Sequence, residues 1–372
     1  MESVSNKNLF KSNFSSLTDP RRTTKGNLIY SLEELLFLTI SAVISGCNTW
    51  VLIAEYGRIK QDWFRKFYPY KRMPSHDAIS DLFSVLDHQK FGECFINWVN
   101  DVATKTDSDV VAIDGKTIRG AASKGNKFPL HIVTAFCAKN RLCLGQQAVV
   151  EKSNEITAIP KLLDLLTLDG CIVTLDAMGC QKDIAEKIRS KDAHYVLQVK
   201  DNQKNLKEQI EDIFDSKASR KIDLKQGIGH GRIEQRRCEA IALPAVVFDG
   251  AQHWKDLQTL VRIKSERTIK KTGEKSTEYR YYITSLTDDA ELLNKSIRSH
   301  WGIENNLHWN LDVIFKEDGQ LKRHGNSAQN FNIISKTALG LIDNEKTLKI
   351  SKPMKRLRAS IDDNYRELIL KI

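Results

Sequence analysis

The sequence lacks any cysteine pair with the Cys-x-x-Cys spacing, and its few cysteines are scattered. Seven occur among 372 residues, an odd number. A disulfide framework needs cysteines that can pair, and a thiolate zinc site needs cysteines that are closely spaced. The distribution therefore argues against both kinds of site and favours reduced thiols in a cytoplasmic protein.

The sequence also lacks an apolar run long enough to cross a membrane. The first substantial run, residues 35–46, is about a dozen residues long, whereas a spanning helix needs about 20. The residues before it are polar, so we do not expect a secretory signal. Ser31 and Glu34 precede the run with the spacing of a capping box, which predicts a buried core helix.

Composition and charge describe a globular protein with a polyanionic partner. Hydrophobic residues make up 41% of the chain and charged residues 28%, which is ordinary for a protein with a packed core. The length exceeds that of one typical domain. The formal net charge is +10, which favours DNA or another polyanion as partner.

Two short β-branched runs each end in an aspartate. Residues 110–113 precede Asp114, and residues 171–175 precede Asp176. Unbroken apolar runs of this length predict strands that are buried on both faces. An aspartate before a glycine is also common in turns, so Asp114 alone has a purely structural explanation. The second copy of the pattern favours functional carboxylates, because burying a carboxylate is costly without a cation or hydrogen bonds.

Residues 298–318 carry a third set of candidate ligands. On a helix, four of them recur every four residues and share one face: His300, Glu304, His308 and Asp312. Carboxylates on this face can approach the two strand-end aspartates only if a cation lies between them. Carboxylate-rich sites suit Mg²⁺ or Mn²⁺. Two such ions about 4 Å apart can stabilise the attacking and leaving oxygens of a phosphoryl transfer.

The order of predicted elements divides the chain into three segments. Residues 1–105 have helical patterns and basic residues that either contact DNA or form a solvated face. Residues 106–345 alternate strands and helices, which predicts an α/β domain with a mixed sheet and flanking helices. A basic, β-rich insertion is expected at about 201–287. Residues 346–372 form a basic tail that is either solvated or in contact with phosphates.

The residues that carry these patterns resemble a known family. Residues 113–116 (Ile-Asp-Gly-Lys), residues 175–177 (Leu-Asp-Ala) and residues 300–315 are similar to DDE transposases of bacterial insertion sequences, most closely the H-repeat-associated subgroup. The resemblance covers nearly the whole chain. It implies a ribonuclease-H-like core, cleavage of transposon ends, and joining of the 3′-hydroxyl to target DNA with two Mg²⁺ or Mn²⁺ ions. The catalytic metal ligands that it implies are Asp114, Asp176 and Glu304.

The chain departs from the broader family around the glutamate. Broader relatives carry Tyr-x2-Arg-x3-Glu-x6-Lys, whereas this chain has Ile297, His300 and Leu311 at the places of the tyrosine, arginine and lysine. Replacements for the phosphate-binding arginine and lysine are expected among Arg298, His300 and Lys316. The other residues expected to contact DNA phosphates are Lys116, Arg119, Arg232 and Arg236. Two DNA ends must be handled together, so a homo-oligomer on DNA is expected.

Several alternatives stay open on the sequence alone. Asp312 is a rival to Glu304 as the third metal ligand. His300, Glu304 and His308 have spacing that a zinc hydrolase could use, although three ligands along one helix span too much of its length. A metal-dependent nuclease would cleave DNA without joining it, and an inactive relic would only bind it. The expected location is the cytoplasm, on the nucleoid when DNA is bound, without membrane contact.

Overall fold

The structure is a computed structural model that describes residues 12–21, 28–102, 109–121, 130–149, 155–216, 218–229, 231–243 and 248–372. Within these residues the strands are β1 Val110–Ile118, β2 Leu130–Cys137, β3 Leu142–Val149, β4 Ile172–Leu175, β5 His194–Val199, β6 Lys221–Gly229, β7 Arg232–Ala242, β8 Thr259–Ile269 and β9 Lys275–Thr284.

The helices lie on both sides of these strands in the chain. They are α1 Leu32–Ile44, α2 Trp50–Ile59, α3 Gln61–Phe64, α4 His76–Val85, α5 His88–Val102, α6 Glu155–Asp164, α7 Lys182–Arg189, α8 Lys204–Asp215, α9 Ala290–Gly302, α10 Trp309–Val313, α11 Ser327–Asn344, α12 Lys352–Ile361 and α13 Asp363–Leu370. In the part of the chain that the structure describes, no helix is both long and apolar enough to span a bilayer.

The strands form one mixed sheet in the order β3-β2-β1-β4-β5-β9-β8-β7-β6. The neighbours β1, β4 and β5 run parallel to one another. Every other neighbouring pair is antiparallel. Helices cover this sheet, so the predicted α/β class with a mixed sheet is confirmed.

Strand β1 is buried where the sequence predicts it, but it does not end at Asp114. Its first four residues are each at most 8% exposed. Pairing with β4 stops at Ile113, opposite Leu175. Pairing with β2 continues, with Asp114 opposite Thr134. The expectation that the strand ends at the aspartate was wrong, because the antiparallel neighbour β2 extends beyond the parallel one.

Strands β6 to β9, from the predicted insertion, enlarge this same sheet. β9 pairs with β5 in antiparallel register, with Thr284 opposite Val196. Helix α9 contacts β4 and β1 as well as β6 and β7. It therefore links the added strands to the parallel centre of the sheet. The division into an inserted unit at about 201–287 stays a prediction.

The amino-terminal helices share their core with the sheet. The capping box before α1 is present: Ser31 Oγ accepts from the Glu34 N–H at 3.1 Å, and Glu34 accepts from the Ser31 N–H at 2.6 Å. The predicted buried core helix is confirmed, since all residues of α1 except Glu33 are buried. Asn330 on α11 donates to carbonyls at the end of α4. The predicted boundary near residue 105 lies outside the described residues.

Most of residues 346–372, expected as a basic tail, form the helices α12 and α13. Arg356 on α12 donates to Val43 O and to Ile314 O, both at 2.8 Å. Arg366 on α13 is fully buried, and its guanidinium lies 3.9 Å from the Trp63 ring centre. Arg356 thus satisfies carbonyls of α1 and of the segment after α10, and Arg366 donates to Ala359 O on α12. The sequence could not show the contacts of Arg356, because its partners lie 42 and 313 positions away.

Lys322 gives the fold a testable dependence on pH. Its Nζ donates to Asn48 O at 2.6 Å and lies 3.6 Å from the Phe331 ring centre. Burial lowers the pKa of Lys322 to about 7. The unfolded chain, with an ordinary lysine pKa, therefore binds more protons above pH 7, so this residue makes stability rise as pH increases from about 7.

We predict that Lys322→Met reduces this rise. Urea unfolding at pH values of about 7 and about 8, where the thiols of the unfolded chain stay mostly protonated, should show a smaller gain in unfolding free energy than the wild type. Lys349→Met, which removes the same charge from an exposed position, should keep the wild-type gain. Equal gains for all three proteins would contradict the assigned cost of burying Lys322.

Candidate active site

The two predicted aspartates lie side by side at one edge of the parallel strands. Each is the first residue beyond the paired positions Ile113 and Leu175. Asp176 Oδ1 accepts from the Met178 N–H at 3.0 Å, which fixes the direction of that carboxylate after β4. Both side chains line one cavity of about 340 Å³. The sheet register therefore brings together two residues that are 62 positions apart.

Glu304 reaches this cavity on a π-helical turn. Asp289 caps α9 by accepting from two main-chain N–H groups. After α9, Ile303–His308 form the π turn, and α10 follows. The prediction of one regular α-helix is wrong at this turn, because a π turn spaces its hydrogen bonds by five residues. Glu304 and His308 still contact each other across four positions.

His308 joins the carboxylate of the π turn to that of β1. Its Nδ1 lies 3.2 Å from Glu304 Oε2 and 3.5 Å from Asp114 Oδ2. One ligand atom from each of the three residues lies within 4.8 Å of the others. His308 is only 3% exposed, and its Nε2 has no hydrogen-bond partner among the described residues. In the sequence this histidine was considered only as a zinc ligand.

The electrostatics of these groups fit a divalent cation. Burial raises the pKa of Asp114 to about 6, and the neighbouring Asp176 contributes in the same direction. The hydrogen bond from His308 holds the pKa of Glu304 below its usual value. A bound cation would lower a carboxyl pKa that burial and a second carboxylate raise. Oxygen donors with one imidazole suit Mg²⁺ or, better, Mn²⁺.

His300 lines the same cavity but does not join His308 and Glu304 in one ligand set. Its Nδ1 lies 2.9 Å from Thr174 Oγ1. Burial lowers the pKa of His300 to about 4, so its imidazole is neutral at physiological pH and brings no positive charge to a phosphate. Within the described residues, the group that could hold a metal contains Asp114 instead of His300. The zinc set considered from the sequence is therefore not assembled.

Asp312 and Lys116 pair with each other. Lys116 Nζ bonds to the Asp312 carboxylate and lies 2.6 Å from Glu317 Oε2. Burial acts against the charged form, but the two carboxylates raise the pKa of Lys116 above its ordinary value. Asp312, the rival third ligand, is thus engaged by a lysine. Lys116 has its charge balanced within the protein.

The other basic residues predicted to contact DNA have varied surroundings. Arg119 is 83% exposed and lies 3.8 Å from Asp318. Arg232 pairs with Glu234 at 2.7 Å. The remaining three are Arg236, which is partly buried, and Arg298 and Lys316, which are exposed.

A buried amide that sequence reasoning missed supports the π turn. Asn310 Nδ2 donates to Asn305 O at 3.0 Å and to Asn306 O at 2.9 Å. Lys352 on α12 donates in turn to Asn310 Oδ1 at 3.2 Å. These bonds satisfy carbonyls of the turn that holds Glu304. The only signal in the sequence is a polar residue beside the apolar Leu311.

A second missed feature lies behind β1. His131 Nε2 is 2.5 Å from Glu155 Oε1, and His131 Nδ1 is 2.9 Å from Thr117 Oγ1. A Cβ atom at Gly115 would lie 2.5 Å from His131 Nε2 and 2.6 Å from Glu155 Oε1. The glycine after Asp114 is thus required by this buried pair, in addition to any role in a turn.

The chain is similar to transposases in sequence. Residues 11–99 match the family described as DDE_Tnp_1-associated, and residues 105–341 match the transposase DDE domain. The chain is 39% identical over 367 residues to "H repeat-associated putative transposase YhhI" of Escherichia coli (strain K12), covering 96% of each protein. It is 40% identical over 355 residues to "Putative transposase YncI" of Escherichia coli O157:H7, covering 93% of this chain and 90% of the relative.

These matches define first a class and then a family. The class is that of enzymes acting on DNA. Their α/β domain places acidic side chains together at one edge of the sheet. The chain belongs to the DDE transposase family, and it resembles H repeat-associated transposases over nearly its whole length. The resemblance found in the sequence motifs is confirmed.

We predict that Gly115→Ala destabilises the protein. The added methyl group must displace the buried His131 and Glu155 side chains, and such overpacking costs about 1–3 kcal/mol. Gly227→Ala is the matched control, since a Cβ atom there meets nothing within 4 Å. Chemical denaturation should show the larger loss of unfolding free energy for Gly115→Ala. Equal losses would mean that the strand tolerates a side chain at Gly115.

Proposed function

We propose that this protein cleaves DNA at transposon ends and joins the resulting 3′-hydroxyl to target DNA. One observation carries the proposal: the carboxylates of Asp114 and Glu304 lie within reach of one ion, beside Asp176 and with a single imidazole between them. Such a donor set is suited to divalent cations that act on phosphates. The DDE transposase family supports the same chemistry.

Asp114, Asp176 and Glu304 are the proposed ligands of two Mg²⁺ or Mn²⁺ ions. When bound, these ions supply Lewis-acid stabilisation of the attacking and leaving oxygens. Asp176 is oriented by the Met178 N–H, and Glu304 is drawn toward Asp114 by His308. Because these carboxylates are already turned into one cavity, binding requires little reorganisation.

The surrounding residues hold this arrangement and meet the DNA. Lys116, balanced by Asp312 and Glu317, ties β1 to α10 and to the segment after it. The neutral His300 is a positioning or hydrogen-bonding group near Asp176 in this proposal. Exposed Arg119 and Lys316 contact DNA phosphates. The protein acts as a homo-oligomer on two DNA ends, in the cytoplasm and on the nucleoid.

The strand order supports a ribonuclease-H-like catalytic core. In the half of the sheet ordered β3-β2-β1-β4-β5, β4 and β5 run parallel to β1, and β2 and β3 form an antiparallel hairpin beside it. The DDE domain match suggests the same fold. In this proposal residues 106–345 are the catalytic domain, and β6 to β9 belong to its insertion.

The central test is a strand-cleavage and strand-transfer assay on the terminal DNA of the encoding element. Wild type should give joined products with Mg²⁺ or Mn²⁺ and none with EDTA. We predict that Asp114→Asn, Asp176→Asn and Glu304→Gln each lower the rate by at least about 100-fold, because each loses a metal ligand. Asp312→Asn should keep most of the activity.

The outcomes separate the alternatives. Loss of joining in Asp312→Asn, with retention in Glu304→Gln, would reassign the third ligand. Cleavage without joined products would favour a metal-dependent nuclease. DNA binding without chemistry under either metal would leave an inactive DNA-binding relic and contradict the proposal.

Metal binding gives a prediction that does not require DNA. A ligand that binds only the folded state raises the unfolding temperature by mass action. Mn²⁺ should therefore stabilise wild type and Asp312→Asn in thermal unfolding, and stabilise Asp114→Asn and Glu304→Gln much less. An equal shift in all four proteins would mean that Mn²⁺ binds elsewhere.

A further inference from the structure

Two guanidinium nitrogens of the partly buried Arg236 have no partner among the described residues. Its Nε and Nη2 atoms are shielded from solvent and make no hydrogen bond within the described residues. Arg236 lies on β7, which α9 contacts. Burial lowers the pKa of Arg236, but an arginine keeps its charge in proteins. A partly buried charge without a counter-charge is unfavourable for folding.

The neighbours of Arg236 do not neutralise it. Two of them are cations: Arg298 on α9 and Arg280 on β9. The other two stay neutral at physiological pH, since burial raises the pKa of both Tyr282 and Cys238 to about 12. The cluster therefore has an excess of positive charge.

Carboxylates on the adjoining strands and helix are already paired. Glu278 receives two hydrogen bonds from Arg280, both at 2.8 Å. Asp223 on β6 and Glu291 on α9 pair with Lys225, which lies opposite Arg236 in the β6–β7 register. In the described part of the chain, neither Arg236 nor Arg298 has an ion pair. Two guanidinium groups are thus left for an external anion.

This cluster adjoins the carboxylate cavity. Tyr282 and Trp301 line the cavity together with Asp114 and Asp176. Tyr282 is also a neighbour of Arg236, and the Arg280 guanidinium lies 4.9 Å from the Trp301 ring centre. A DNA strand whose reacting phosphate lies at the carboxylates would extend past these aromatic side chains to the arginines.

We propose that Arg236 and Arg298 together bind a backbone phosphate of the DNA strand that enters the carboxylate cavity. The inference rests on the proposed function. Guanidinium groups suit phosphate because they present parallel N–H donors to two oxygens. Arg280, held by Glu278, adds positive potential without needing the phosphate.

The test is to measure DNA binding and stability in the same variants of the full chain. Binding to a duplex with the terminal sequence is measured in EDTA over a range of salt concentrations, so that no chemistry occurs. Arg236→Met and Arg298→Met should each raise Kd by roughly 10-fold and lower the slope of log Kd against log salt by about 1. Lys187→Met is the control, because its charge is paired with Asp164 on another helix.

Thermal unfolding distinguishes binding from a structural role. Without DNA, Arg236→Met should unfold at a higher temperature than wild type, because the unbalanced charge is gone. A lower temperature, or wild-type affinity and salt slope in both arginine variants, would overturn the inference. Inorganic phosphate that stabilises wild type but not Arg236→Met, while both proteins bind DNA with equal affinity, would also overturn the inference. The site would then serve free phosphate.

The two proposals fail in different ways. Wild type that binds DNA but neither cleaves nor joins it would contradict the proposed function alone. Arginine variants that bind DNA like wild type, in a protein that joins strands normally, would contradict the phosphate site alone.

Discussion

The repulsion between carboxylates at one sheet edge is the constraint on which the rest of the site depends. Parallel pairing of β1 and β4 brings Asp114 and Asp176 together, and the π turn after α9 places Glu304 beside Asp114. In the partly buried cavity His308 Nδ1 lies 3.5 Å from Asp114 Oδ2, and burial still raises the pKa of Asp114 to about 6. The arrangement persists because a large sheet and its covering helices over-determine the positions of these side chains. The negative charge of these carboxylates makes the site suitable for cations.

Three supports hold the acidic edge in place from different directions. The His131–Glu155 pair lies behind Gly115 and fixes the backbone of β1 next to Asp114. The Lys116 ion pairs tie the same strand to α10 and to the segment after it. Asn310 satisfies carbonyls of the π turn that carries Glu304. Support of this kind holds the carboxylates in one arrangement, as the proposed metal site requires.

Positive charge on this protein is divided between structural and available groups. Arg356 and Arg366 donate hydrogen bonds to main-chain carbonyls inside the fold. They therefore add to the net charge of +10 without being accessible to DNA. Arg236 and Arg298 have no such internal partner among the described residues. A partly buried arginine without a partner, such as Arg236, lowers the stability of the folded protein. Such losses of stability are typical of binding sites. Net charge alone therefore overstates the surface that can hold a polyanion.

Local patterns in the sequence determined the two buried strands before the aspartates, the capped core helix α1 and the motif around Glu304, because side-chain periodicity and capping act over a few residues. The tertiary structure decided that β1 continues past Asp114, that Lys116 takes Asp312, and that residues 352–370 form packed helices. It also decided that the turn carrying Glu304 is π-helical. Each of these outcomes depends on partners far along the chain, which spacing within one segment cannot reveal.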